Sequence, residues 1–67
     1  MLTLDAYIDE FLPNGLCEYH VTCRKDDNSR ERITLHNAPR YMTLFELCRR
    51  IAAADPERQD APQVEKA

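Results

Sequence analysis

The chain has 67 residues, of which 43% are hydrophobic and 31% charged, and its net charge is -3. A chain of this length forms one domain and buries only about 60% of the surface that its unfolded form exposes, which argues against a large enclosed active site. No apolar run approaches the roughly 18 residues of a membrane span, and the start lacks the basic and apolar regions of a secretory signal. We therefore expect a cytoplasmic protein.

The first predicted element is an amphipathic helix that begins after Thr3 and ends at residues 13–15. Its apolar residues recur at helical spacing: Leu4, Tyr7, Ile8, Phe11 and Leu12. The opposite side carries Asp5, Asp9 and Glu10, which predicts an acidic outer surface. The alternative is that Leu2 and Leu4 pair as a short third strand in place of the first turn of this helix.

Residues 17–36 predict a β-hairpin with one apolar and one polar face. Strand-forming residues alternate on either side of a polar break at residues 26–29. Two registers keep both apolar rows on one face, and they pair Ile33 with either Cys23 or Val21. The first is preferred because it joins Thr22 to Thr34.

In the preferred register Asp26 also faces Arg30 across a loop of residues 27–29. Within that loop, Asn28 or Ser29 takes the left-handed conformation, which Asn tolerates better.

A second helix is predicted from the spacing of Thr43 and Glu46, which is that of a capping box. Its apolar face comprises Leu44, Leu47, Cys48, Ile51 and Ala52, and Met42 and Leu47 are placed for a hydrophobic staple. The helix should end before Pro56. Asn37 is a rival start, with Pro39 in the first turn.

The predicted fold is therefore a small α+β domain in the order helix, strand, strand, helix, with the hairpin packed against both helices. Residues 1–58 form the domain and residues 59–67 a flexible C-terminal tail. A second copy, pairing through a hairpin edge, would extend the ribbon to a larger sheet.

Metal and disulfide chemistry are both disfavoured by the strand pattern. Cys17 and Cys23 lie roughly 20 Å apart along one strand, too far for a disulfide, although Cys48 is left as a possible partner for either. His20 and His36 fall on the face opposite these thiols, whereas a zinc site needs convergent ligands. We predict no metal and no cofactor.

Catalysis is also not expected. The only serine, Ser29, lies in the predicted turn, and the sequence has no glycine-rich phosphate loop. All three cysteines fall on predicted core faces, where a thiol is a poor nucleophile. The chain is therefore predicted not to be an enzyme.

A larger protein is the predicted partner, because both strands of a two-stranded ribbon expose a pairing edge. The predicted contact residues, on the ribbon's polar face and the acidic helix, are Asp5, Asp9, Glu10, His20, Arg24, Arg30, Arg32 and His36. In size and acidity the chain resembles the small inhibitors encoded by phages and mobile elements, including anti-CRISPR proteins. That resemblance implies a steric inhibitor acting in the host cytoplasm, and it rests on no motif.

The alternative function is a small nucleic-acid-binding transcriptional regulator. Basic residues concentrate at the hairpin tip: Arg24, Lys25, Arg30 and Arg32. Asp26, Asp27 and Glu31 are interleaved with them, and the whole chain is acidic, which disfavours phosphate contact.

Overall fold

The computed structural model describes residues 1–55 and 61–64. In this part of the chain it contains a mixed four-stranded sheet and one helix: β1 (Thr3–Phe11), β2 (Cys17–Arg24), β3 (Arg30–Ala38), α1 (Leu44–Ala54) and β4 (Gln63–Val64). The spatial order of the strands is β3-β2-β1-β4, with β4 parallel to β1 and the other pairs antiparallel. The predicted order of helix, strand, strand, helix is wrong, because β1 replaces the first helix and a fourth strand is present.

A β-bulge accounts for the helical step from Leu4 to Tyr7 in β1, whereas Ile8 of the predicted helical stripe lies on the opposite face of the sheet. Leu4 pairs with Cys23 and Ala6 with Thr22, so Asp5 is an extra residue in the ladder. The insertion changes the spacing of residues on one face from two to three, and Leu4 and Tyr7 consequently lie on the same face. A strand with one such bulge reproduces the three-residue step expected of a helix. The alternative prediction, a third strand at Leu2 and Leu4, is correct in placing Leu4 in a strand, but the strand extends from Thr3 to Phe11.

The β2–β3 hairpin has the alternative register. Val21 pairs with Ile33 and Arg24 with Arg30, so the preferred pairing of Cys23 with Ile33 is wrong. The loop decides the register: Asn28 N–H donates to the Lys25 carbonyl at 3.0 Å, and Asn28 adopts φ 68°. A tight turn followed by a left-handed residue is a favoured three-residue hairpin connection, and it places the left-handed residue at Asn28, one of the two predicted positions.

The helix α1 begins where the capping box predicts. Thr43 is its N-cap, and the Thr43 hydroxyl accepts a hydrogen bond from the Glu46 N–H at 3.1 Å. The rival start at Asn37 is wrong, because Asn37 lies in β3. Leu47, Cys48 and Ile51 are buried.

The core lies between α1 and one face of the sheet, called here the inner face. Its buried residues are Leu2, Leu4, Cys17, Tyr19, Val21, Cys23, Leu35, Ala38, Leu47, Cys48 and Ile51. Strand β3 and strand β4 run parallel at opposite edges of the sheet, so α1 crosses the inner face to connect them. The opposite face, called the open face, carries no helix from the described residues.

Strand β4 lies within the segment 59–67 that was predicted as a flexible tail. Gln63 N–H donates to the Leu2 carbonyl at 2.8 Å and pairs β4 with β1. Residues 59, 60 and 65–67 of that segment lie outside the described part of the chain. None of the helical structure described has the length and apolar character needed to cross a membrane.

Candidate functional site: a histidine–carboxylate cluster and an aromatic patch

The open face carries a cluster of two histidines and two glutamates from three adjacent strands. Glu10 of β1 lies directly opposite Glu18 of β2, and His20 follows two residues later on β2, on the same face. His36 of β3 is the fourth member. We call Glu10, Glu18, His20 and His36 the histidine–carboxylate cluster.

Glu18 is the centre of the histidine–carboxylate cluster because its carboxylate contacts both imidazoles. His20 Nε2 lies 3.2 Å from Glu18 Oε1, and His36 Nδ1 lies 2.8 Å from Glu18 Oε2. His20 Nε2 is also 3.8 Å from Glu10 Oε1. One carboxylate oxygen is thus directed toward each histidine, and the second glutamate approaches His20 from the neighbouring strand.

A bulge in β3 positions His36. Cys17 pairs with Ala38 and Tyr19 with Leu35, so β3 has one more residue than β2 over this stretch. Asn37 adopts φ 56°, a left-handed conformation that Asn accepts more readily than most residues. The extra residue lets His36 stay on the open face while Ala38 returns to the core.

Three members of this cluster, Glu10, His20 and His36, are among the contact residues predicted from the sequence, and Glu18 is not. The signal was present: once residues 3–11 are read as a strand, a five-residue loop over 12–16 places Glu10 opposite Glu18. The predicted separation of His20 and His36 from Cys17 and Cys23 holds, since both thiols are buried on the inner face. The carboxylates of Glu10 and Glu18, and not the thiols, converge on His20.

The remaining predicted contact residues are divided between surfaces. Asp5, in the β1 bulge, reaches across β2 to Arg30, with Arg30 Nε 3.5 Å from Asp5 Oδ2. Arg24 and Arg32 lie on the open face of β2 and β3. Asp9 pairs with Tyr19 and therefore lies on the inner face. The acidic helix surface predicted for Asp5, Asp9 and Glu10 does not exist.

The predicted hairpin edges are also revised. Strand β2 is an internal strand, flanked by β1 and β3, so it offers no pairing edge. The outer edge of β3 pairs with no other strand among the described residues. A homodimer through a hairpin edge is thereby restricted to β3.

A second candidate surface lies on the inner face, at the C-terminal end of β1. The Phe11 ring meets the Tyr41 ring edge-on, with 6.0 Å between ring centres, and the Arg40 guanidinium lies 4.4 Å from the centre of the Phe11 ring. Tyr7, on the same face of β1, stacks at a tilt on the buried Tyr19. We call Tyr7, Phe11, Arg40 and Tyr41 the aromatic patch.

Tyr41 is the most exposed large side chain of this patch and has an unfavourable backbone conformation. Its φ is 62°, and 85% of its surface is accessible to solvent. Left-handed backbone is disfavoured for a bulky residue, and it costs on the order of 1–3 kcal/mol. Tyr41 is not among the residues predicted from the sequence, because no local pattern indicates a left-handed tyrosine.

Below the aromatic patch, burial raises the pKa of the Tyr19 phenol. The Tyr19 hydroxyl donates to the Pro39 carbonyl at 3.4 Å, so this neutral phenol connects β2 to the segment that precedes Tyr41. Burial also raises the pKa of the Cys48 thiol. Both groups remain protonated near neutral pH and act as parts of the core.

The histidine–carboxylate cluster and the aromatic patch are on opposite sides of the sheet at the same end of β1. No protein-family model, curated protein or solved structure matches the chain. A functional proposal therefore rests on the geometry of these two surfaces.

Proposed function

We propose that this chain is a small protein-binding module that acts without catalysis, as an inhibitor or regulator that sterically blocks a larger protein. The aromatic patch is its contact surface, and Tyr41 is the anchor that enters an apolar pocket of the partner. The observation that supports this most directly is the exposed, left-handed Tyr41.

The left-handed backbone of Tyr41 carries an energetic cost that contacts within the chain do not offset. Backbone strain of this kind persists where the surrounding structure enforces it, and it is concentrated at functional sites. A side chain that is 85% exposed recovers little of the cost by packing within the chain. A partner that buries the ring would recover it, and the phenol hydroxyl would find a hydrogen-bond partner at the base of the pocket.

The composition of the aromatic patch supports the same function. Tyrosine, other aromatic residues and arginine are enriched in the small set of residues that dominate binding energy at protein interfaces. Arg40 is held in place because its Nη2 donates to the Leu12 carbonyl at 3.2 Å. A side chain that is already held in place in this way loses less conformational entropy on binding.

The distribution of apolar surface also favours a protein partner. Among the described residues, eleven hydrophobic side chains are buried while eight large ones are exposed, Phe11, Tyr41 and Phe45 among them. A protein interface covers such side chains, which are costly to leave in water. We place this activity in the cytoplasm, in that of the host if the chain is phage-encoded, by analogy of size and charge with small phage inhibitors.

The alternative of a nucleic-acid-binding regulator has less support. Arg30, at the centre of the basic hairpin tip, is within ion-pair distance of Asp5. A net charge of -3 opposes the phosphate contacts on which such binding depends.

The test is affinity capture from host lysate with three immobilised forms: the wild type, Tyr41→Ser and Ile8→Ser. Ile8 is the matched control, because it is an exposed apolar residue, 68% accessible, on the opposite face of β1. The captured protein is then purified, and its affinity for each form is measured. We expect Tyr41→Ser to weaken binding at least about 30-fold and Ile8→Ser to leave it unchanged.

Far-UV circular dichroism of each variant confirms that it is folded. A partner that binds Tyr41→Ser as tightly as the wild type would contradict the proposal. So would recovery of a nucleic acid whose binding weakens steeply with salt, which is the behaviour of phosphate contacts.

A further inference from the structure

We propose that the histidine–carboxylate cluster binds a divalent transition-metal ion, zinc in the first instance. Glu10, Glu18 and His20 are the ligands, and His36 is a positioning residue that orients Glu18. This proposal concerns the open face of the sheet and does not depend on the aromatic patch or on its partner.

The distances within the cluster suit one small cation. One ligand atom from each of Glu10, Glu18 and His20 lies within 4.8 Å of the other two. In a tetrahedral zinc site with metal–ligand distances of about 2.0–2.1 Å, neighbouring ligand atoms lie roughly 3.3–3.4 Å apart. The separations of 3.2 Å and 3.8 Å from His20 Nε2 to the two carboxylates bracket that value.

The pairing of Glu10 with Glu18 places two carboxylates next to each other on the open face. The two residues are direct cross-strand partners in the β1–β2 ladder. Like charges placed directly opposite each other destabilise a sheet. A bound cation between the two carboxylates would convert this repulsion into attraction.

His36 completes the arrangement from outside the ligand set. Its Nδ1–H donates to Glu18 Oε2 at 2.8 Å, which leaves Oε1 directed toward His20. Metal-binding carboxylates are commonly fixed by such an outer hydrogen bond, whose loss typically weakens metal affinity about 10- to 100-fold.

The ligand types select the class of metal. An imidazole with two carboxylates suits zinc and its neighbours in the transition series, whereas calcium and magnesium take predominantly oxygen ligands in larger number. Cys17 and Cys23 are buried on the inner face and are not available to this site. Three protein ligands leave a fourth zinc position for water or for a group of another molecule.

The test is isothermal titration of the full chain with zinc chloride in a non-coordinating buffer with a thiol-free reductant. We expect one equivalent to bind with a dissociation constant in the micromolar range or tighter. Glu18→Gln and His20→Gln should each weaken binding about 100-fold or more, and His36→Gln about 10-fold.

Asp9→Asn is the matched control, because it removes the same charge one position from Glu10 but on the inner face. It should leave zinc affinity unchanged. Two further measurements locate the ion: the imidazole signals of His20 should shift in nitrogen-resolved NMR spectra, and cobalt substituted for zinc should give no thiolate-to-metal charge-transfer band.

Thermal unfolding of each variant shows that it is folded before its affinity is compared. The proposal is overturned if the wild type shows no saturable binding, which would mean that the cluster is held by hydrogen bonds and ion pairs alone. Equal affinity in Glu18→Gln and the wild type, or a thiolate band with cobalt, would overturn it as well.

Discussion

Arg40 and Phe11 join two segments of the chain that are distant in sequence. The Arg40 guanidinium lies 4.4 Å from the centre of the Phe11 ring, and its Nη2 donates to the carbonyl of the next residue, Leu12, at 3.2 Å. The connector between β3 and α1 is thereby fixed to the end of β1. This contact orders the segment from which Tyr41 projects.

The first prediction concerns this contact. Arg40→Ala should lower the free energy of unfolding by about 1–2 kcal/mol, because it removes a cation–π interaction and a hydrogen bond from a charged donor. Urea denaturation measures this change in the free energy of unfolding. Arg49→Ala is the control, since Arg49 lies 5.8 Å from the centre of the exposed Phe45 ring and its loss should change stability by less than about 0.5 kcal/mol. Equal effects of the two substitutions would contradict a structural role for Arg40.

The second prediction separates stability from binding at Tyr41. Tyr41→Asn should raise the free energy of unfolding by about 0.5–1 kcal/mol, because asparagine tolerates the left-handed φ of 62° better than tyrosine does. The same variant should lose the captured partner. Tyr41→Phe keeps the strain and the ring, and it should retain wild-type stability. A clear loss of stability in Tyr41→Asn would mean that the ring serves packing within the chain.

The third prediction tests the start of α1. Thr43→Ala should lower the free energy of unfolding by about 1 kcal/mol, because the Glu46 N–H loses its acceptor. Thr43→Ser keeps a hydroxyl and should stay close to the wild type. Chemical denaturation measures both variants, and equal losses for Ala and Ser would argue that the methyl group of Thr43 matters more than its hydroxyl.

The fourth prediction concerns the thiols. The thiols of Cys17, Cys23 and Cys48 are buried, and burial raises the pKa of the Cys48 thiol. Because the thiolate is the reactive form, all three should react with a chromogenic disulfide reagent only as fast as the chain opens, and at once in denaturant. Rapid labelling of any of them in the native protein would contradict the burial described.

The fifth prediction concerns acid. The Ser29 hydroxyl and then the Ser29 N–H donate to Asp27, and they lower the pKa of this carboxyl below its ordinary value of 3.8. The stabilisation is therefore present above pH 3.8 and is lost as the pH falls through the lower folded value. The unfolding midpoints of the wild type and of Asp27→Asn should differ above pH 3.8. They should become equal as the pH falls below the folded pKa of Asp27. Parallel curves at all pH values would show that the carboxylate contributes nothing to the turn.

Local signals account for the parts of the fold that the sequence predicts correctly. The alternation through β2, the break before β3 and the capping of α1 at Thr43 each depend on residues within a few positions of one another. The hairpin register also depends on which loop residue is left-handed. The pattern left this open between Asn28 and Ser29, and in the structure it is Asn28.

The wrong assignments have specific causes. The bulge at Asp5 gives the step from Leu4 to Tyr7 the spacing of a helix. The pairing of Gln63 with Thr3 involves residues too distant in sequence to leave a local pattern. Three of the four residues of the histidine–carboxylate cluster are predicted from the sequence. Glu18 is not, because it acquires its role only when β1 is read as a strand. Tyr41 depends on a backbone conformation that arises from tertiary structure.

The parallel pairing of β4 with β1 has a consequence for the order of folding. Strands β1, β2 and β3 are joined by short loops, whereas the pairing of Thr3 with Gln63 closes a loop of nearly the whole chain. Closing a loop about twelve times longer costs about 2 kcal/mol more in chain entropy. The three antiparallel strands should therefore assemble first and β4 dock last, and until then the edge of β1 at Thr3 and Leu4 is open to pairing with other chains.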